Sequence, residues 1–341
     1  MRLSFLLIFL APIFSFAQSD SIAEQFLIDQ KKYTDYEKAH GGWLSTKNTN
    51  LHYLTWGNPN GIPFLWLHGS LSNAYEILPI VNELTKNNIY VISVDYYGHG
   101  KTKFPETEVS VDNLADDISQ LLNHLDIDKV TIGGFSRGAY LATAFYKNYP
   151  EKTSALILED GGLMGLHYNL KTKSKDWLSN YISEQIENKP AELFQNYQSE
   201  QEAYQVLNAY TDKKYSFTNL SFINKNKNGE FVIYKEQESL YWMDDKKRFV
   251  EMILSPENSS LFQRTLLNLG LNQLNRPLTV PTLVLEAQSE NDPLPYAEDY
   301  LKFSKNNPDL VSHLIFEETQ HHIKFQHPVR FAESVIQFIL Q

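Results

Sequence analysis

Residues 129–140 read KVTIGGFSRGAY, and this stretch narrows the possible fold more than any other. Residues 129–132 are strand-like, Gly134 and Gly138 stand two places either side of Ser136, and residues 139–149 have a helical pattern that Pro150 stops. Strand, sharp turn and helix follow one another, with the serine at the turn. A serine held there takes a strained backbone conformation, so both flanking positions must be tiny, and glycine meets that demand without steric cost. The turn lifts the hydroxyl clear of the sheet. It also sets the Arg137 N–H at a helix start, where an unpaired donor can face a developing negative oxygen.

The surrounding pattern supplies the sheet. Continuous apolar runs at residues 63–67 (PFLWL), 89–94 and 155–158 have the character of buried parallel strands. They alternate with helical patterns at 73–84 and 111–125, the latter with Ser110 as its expected cap. Such alternation predicts an α/β fold, a mostly parallel central sheet with helices on both faces. Residues 43–45 and 51–56 are expected to pair ahead of it, after an N-terminal arm at 18–41. The first part of the core is then 42–161.

Alternation stops at Gly162, and 162–275 is expected to be an inserted, mainly helical cap lobe. Its helices are expected at 176–187, 190–209 and 242–254, with a hairpin of 217–223 and 230–236 about Asn228-Gly229. The core resumes over 276–341 with strands at 282–285 and 311–316 and a closing helix at 328–340.

Composition removes some function classes. Of 341 residues, 30 are Lys or Arg and 41 are Asp or Glu, a net charge of -11 that repels nucleic-acid phosphates. There is no cysteine, so disulfides, thiolate metal sites and lipidation through Cys are excluded. Residues 1–17 are expected to be a signal peptide: Arg2, then an apolar run broken by Pro12, then small Ser15 and Ala17 before a cleavage at Gln18. The run is shorter than the about 20 residues that a bilayer span needs. The expected destination is export, periplasmic or secreted, with no stable membrane span once the leader is removed.

A serine hydroxyl is nearly inert at neutral pH unless an imidazole takes its proton and a carboxylate holds that imidazole. Candidates for both follow the C-terminal strands, on the sheet edge where the serine turn must also lie. They are Asp292, in the loop EAQSENDPLP, and His321, with His322 and His327 nearby.

This order of Ser136, Asp292 and His321, together with HGS at 68–70, DYYGHGKT at 95–102, GFSRG and the helical insert, resembles the α/β-hydrolase superfamily over nearly all of the chain after Leu51. The resemblance implies a nucleophile at Ser136, an acid at Asp292, and a base at His321, which stands at the family's usual spacing before Pro328. It also implies an oxyanion hole from the backbone N–H groups of Ser70 and Arg137. Two departures from the family pattern are Gln320 before the base and a longer acid loop. Asp160, where some members carry the acid, and Glu290 therefore remain alternatives for that role. His68 and His99, beside glycines at strand ends, are expected to brace turns.

The implied reaction is acyl transfer to water on a small-molecule ester, with no cofactor and no metal. Two rivals use the same scaffold: an amide cleaver of the iminopeptidase type, and a ligand-binding protein without turnover. Substrate identity and oligomeric state are not legible in the sequence.

Overall fold

The computed structural model describes residues 19–170, 173–289 and 296–341. The expected signal peptide lies outside them. Eight strands form one sheet: β1 (Gly41–Ser45), β2 (Asn50–Trp56), β3 (Ile62–Leu67), β4 (Ile89–Val94), β5 (Val130–Phe135), β6 (Thr153–Glu159), β7 (Thr282–Gln288) and β8 (Val311–Glu317). Their spatial order is β1-β2-β4-β3-β5-β6-β7-β8. β2 pairs antiparallel with β1 and with β4, and all other neighbours are parallel. Crossover helices include α2 (Leu78–Lys86), α3 (Val111–His124) and α4 (Arg137–Asn148), a further helix at Ala297–Asn306 links β7 to β8, and α5 (Pro328–Ile339) follows β8.

Strand periodicity sorts the two faces. Leu65 and Leu67 of β3 pack with Leu114 and Ile118 of α3 and Phe145 of α4, while Phe64 and Trp66 pack with Leu84 of α2 and Phe331 and Val335 of α5. Each is almost fully removed from solvent, and at about 25 cal/mol per Å² this burial is the main term holding the layers together. Helix α3 starts where its sequence says it should. The Ser110 hydroxyl accepts the Asn113 N–H while the Asn113 side chain accepts the Ser110 N–H, a complete capping box.

Ahead of the sheet, α1 (Ser19–His40) touches both the sheet and the chain between β6 and β7. Its Asp29 accepts a 2.6 Å hydrogen bond from Tyr204 of the insert, and its Glu37 lies 3.0 Å from His52 of β2. The other ring nitrogen of His52 is 2.7 Å from Asp95. Burial alone would lower the His52 pKa, but the two carboxylates outweigh it and raise the value to about 9.

The chain between β6 and β7 departs from its sequence pattern in three places. Residues 190–209 are not one helix. They form a turn at Ala191–Phe194, a two-residue strand at Asn196–Tyr197 and a helix at Glu200–Asn208. Ser199 starts that helix afresh by a capping box with Glu202.

The hairpin about Asn228-Gly229 exists, but its strands are only Asn224–Lys225 and Phe231–Val232, and Lys213–Ser221 is 3₁₀ helix rather than strand. Hydroxyls of Ser216, Thr218 and Ser221 bond back to carbonyls three residues earlier, which satisfies the backbone locally and removes the need for a ladder. The helix expected from Trp242 begins at Lys246, because Asp245 caps it and Trp242 has a left-handed φ of 54°. The helix expected at 176–187 is present as Lys175–Ile182 continued by a π turn at Ser183–Glu187.

Candidate active site

Register brings the reactive ends together. Leu67 lies opposite Gly134, Phe135 opposite Glu159, and Glu159 opposite Leu285, so β3, β5, β6 and β7 finish along one sheet edge. Ser136 follows β5 with φ 50° and ψ -115°, a conformation that costs a non-glycine residue of order 1–3 kcal/mol and persists only where the surroundings fix it. Here the fixing is visible. The Ser136 N–H donates to the Glu159 carbonyl at 2.9 Å. A Cβ on Gly134 would stand 2.3 Å from Gly138 backbone, and one on Gly138 would stand 1.9 Å from the Leu67 carbonyl oxygen. Neither glycine can be enlarged without driving α4 off the sheet.

Beside the serine, Nδ1 of His321 lies 2.6 Å from Oδ2 of Asp160, and both residues are buried. Asp160 is the first residue after β6 and has φ 45°. Its N–H donates to the Leu285 carbonyl at 2.9 Å. Burial raises the Asp160 carboxyl pKa and lowers that of the His321 ring, where Lys324 adds a further lowering. The imidazole is thereby held in its neutral form, the form able to accept a proton.

Beneath these groups is a buried ion cluster. Lys324 is fully buried, with Nζ 3.0 Å from Glu159 and 3.1 Å from Glu76, and 3.9 Å from the centre of the Phe135 ring. The Lys324 N–H also donates to Glu159 at 3.1 Å. Glu76 accepts the Gly69 N–H at 2.9 Å and the Trp66 indole N–H at 3.1 Å. One cation thus joins the turn after β3, the serine turn and the histidine loop. Burial, with Glu76 adding to it and Lys324 opposing, pushes Glu159 up to about 7.

Ser70, Ser136, Arg137 and His321 line one cavity of about 100 Å³. Among the described residues the N–H groups of Ser70 and Arg137 have no acceptor. The Arg137 guanidinium donates from Nε to Ser70 Oγ and from Nη1 to Gln263 Oε1, both at 3.0 Å, and its carbon lies 4.2 Å from the centre of the Tyr241 ring. Leu166, Phe249, Met252, Ile253 and Leu266, from the chain between β6 and β7, give the cavity apolar lining. A family model described as the alpha/beta hydrolase fold matches residues 62–328.

The chain belongs to the α/β-hydrolase fold family. Among curated proteins, this α/β-hydrolase is similar to a human serine hydrolase-like protein, 26% identical over 145 residues that make up 41% of this chain and 71% of that one. It is also similar to a proline iminopeptidase of Arabidopsis thaliana, 30% identical over 162 residues, 46% of this chain and 40% of that one. The chain spans less than half the length of several curated relatives it matches. An esterase from Exiguobacterium antarcticum superposes with a TM-score of 0.57 at 19% identity, covering 88% of this chain and 100% of that one, a likeness of fold.

Four of the five site residues expected from the sequence of this α/β-hydrolase, Ser70, Ser136, Arg137 and His321, meet at the cavity. The fifth, Asp292, lies outside the described residues, as does Glu290, and the carboxylate seen on His321 is Asp160. His322 also faces the cavity and packs 4.7 Å from Phe135. His327 is turned away, 2.9 Å from the Thr319 hydroxyl.

His68 stacks on Tyr96 with ring centres 4.1 Å apart, and His99 binds the Tyr241 hydroxyl at 2.5 Å; both brace loops. The ion cluster of Lys324, Glu76 and Glu159 has no signature in the sequence, where Lys324 looks like any solvated lysine. Among the described residues no group of side chains is arranged to hold a metal ion, and no helix is long and apolar enough to cross a membrane.

Proposed function

We propose that the chain is a serine hydrolase that cleaves a small-molecule ester through an acyl-enzyme on Ser136, exported to the periplasm or beyond it. The observation that carries the reading is the buried 2.6 Å contact of His321 Nδ1 with Asp160, at the same cavity as the strained Ser136. In the reaction, His321 takes the Ser136 proton as Oγ bonds to the acyl carbon, and Asp160 keeps the ring in the tautomer that accepts it. The N–H groups of Ser70 and Arg137 hold the oxyanion, an interaction whose loss costs about 3 kcal/mol of barrier per donor. His321 then passes its proton to the departing alkoxide. Water, deprotonated by the same ring, releases the acid.

Likeness to an iminopeptidase favours a second reading, cleavage of an amide at a free amino terminus. The cavity speaks against it. A substrate ammonium calls for a carboxylate to meet it, and among the described residues lining the cavity there is neither aspartate nor glutamate. A third reading, a binding protein without turnover, has no use for a serine held in a strained turn.

A fluorophosphonate probe tests the proposal. Covalent labelling at Ser136, lost in Ser136→Ala, together with faster turnover of aryl esters than of aminoacyl amides, is the expected result. An unlabelled native protein would leave only the fold.

A further inference from the structure

One permanent cation stands among the described residues that line the cavity. Arg137 extends from the first turn of α4 into it, and every contact recorded for its guanidinium is neutral: the Ser70 hydroxyl, the Gln263 amide oxygen and the face of Tyr241. Gln263 is fully buried and its Nε2 donates to the Leu240 carbonyl at 3.1 Å, which turns Oε1 towards the arginine. Among the described residues no carboxylate lies within ion-pair reach of Arg137. The two acceptors leave guanidinium N–H groups unused. A partly buried cation that no described carboxylate neutralises is costly unless something else supplies the charge.

A second donor lines the same cavity. Nε2 of Gln185, on the π turn at Ser183–Glu187, is shut off from solvent and has no hydrogen-bond partner among the described residues. An amide N–H in that state needs an acceptor. Guanidinium, amide N–H and the N-terminus of α4 thus all offer positive charge or donors to one small space whose remaining described lining is largely apolar, with tyrosines and the Ser136 and His321 side chains among it.

We propose that the substrate carries a carboxylate, bound by Arg137 and assisted by Gln185, on a short apolar skeleton. This deepens the reading of the cavity as an ester-hydrolase site and rests on it. Arg137 then has two separate parts in the site: its backbone N–H faces the oxyanion, and its side chain selects the substrate. The protein's net charge of -11 works against an anion at long range, so the local guanidinium must supply the discrimination. Added salt, which screens the first effect more than the second, will not abolish it.

The test is hydrolysis of paired esters. An aryl hemisuccinate is compared with the aryl butyrate, and 3-carboxyphenyl butyrate with phenyl butyrate, so that the anion is placed on either side of the scissile bond. The expected result is a preference in kcat/KM of about ten- to a hundredfold for one of the two anionic esters over its neutral partner. That preference falls to near unity in Arg137→Gln and is partly retained in Arg137→Lys. A native preference near unity in both pairs, or one unchanged in Arg137→Gln, overturns the proposal.

If Arg137→Gln does not fold, native protein decides by calorimetry. Binding of glutarate but not glutaramide supports the proposal, and equal or absent binding of both overturns it. Labelling by fluorophosphonate distinguishes the two failures. A labelled protein indifferent to charge loses only this inference, while an unlabelled one that still binds glutarate loses the hydrolase and keeps the anion site.

Discussion

Nδ1 of His321 lies 2.6 Å from Oδ2 of Asp160, a residue 24 positions after Ser136 on the adjacent strand end rather than in the loop after β7. Replacing that carboxyl by an amide of the same shape leaves the ring in the wrong tautomer. Asp160→Asn is expected to lower kcat/KM by about ten-thousandfold, and Asp292→Asn by less than about tenfold. Steady-state kinetics on an aryl ester reads both. Reversal of the two effects would return the acid to Asp292.

Burial, reinforced by Lys324, lowers the His321 pKa, so the base remains unprotonated as the pH falls below the ordinary histidine value. The profile of kcat/KM is therefore expected to stay flat from about pH 8 to below about pH 6.5, and to fall only in more acid solution. An acid limb centred near 7 would mean that Asp160 stabilises the imidazolium more than burial opposes it.

Lys324 answers two buried carboxylates. Lys324→Met leaves Glu76 and Glu159 with no cation, and a loss of about 3–5 kcal/mol in folding stability is expected. The loss grows as pH rises through the value of about 7 at which Glu159 ionises, since both carboxylates must then be charged. Urea unfolding at acid and alkaline pH measures the deficit and its slope. An equal deficit at both would show that the lysine matters through packing alone.

The His52 cluster has the opposite pH signature. Its folded pKa of about 9 lies above the ordinary value, so its contribution to stability is complete below about pH 6.5 and is lost as pH rises through about 9. His52→Gln is expected to be less stable than the native protein at about pH 6 and to approach it at about pH 9.5. Chemical denaturation at the two values checks this. A difference independent of pH would remove the ion pair with Glu37 and Asp95 as its source.

The elements most legible in the sequence are those whose signals are local. Gly134, Ser136 and Gly138 announce a turn that only those residues fit, and the apolar runs of β3 to β6 admit little except a buried parallel sheet. Ser110 names its helix. The insert was harder because capping residues inside it, Ser199 and Asp245, restart helices where periodicity alone runs on, and because the hydroxyls of Ser216, Thr218 and Ser221 satisfy a segment whose composition suits a strand.

Asp160 could be found from the sequence only as an alternative. The pair Glu159-Asp160 ends the strand beside the nucleophile, and nothing local says that one carboxylate turns to Lys324 and the other to His321. Arg137 was legible as a backbone donor. The neutral company of its side chain was not, since Gln263 and Tyr241 reach it from far along the chain.

Helix α1 and the first two strands lie before residue 62, where the match to the family begins. A chain trimmed to that shared stretch would lose the antiparallel rim of the sheet, the Glu37 anchor on His52 and the Asp29 tether to Tyr204. It would also lose most of α5, whose Phe331 and Val335 cover one face. The stretch that the family model matches is therefore not a self-sufficient body in this protein: it is buttressed at both ends by segments that lie outside the match.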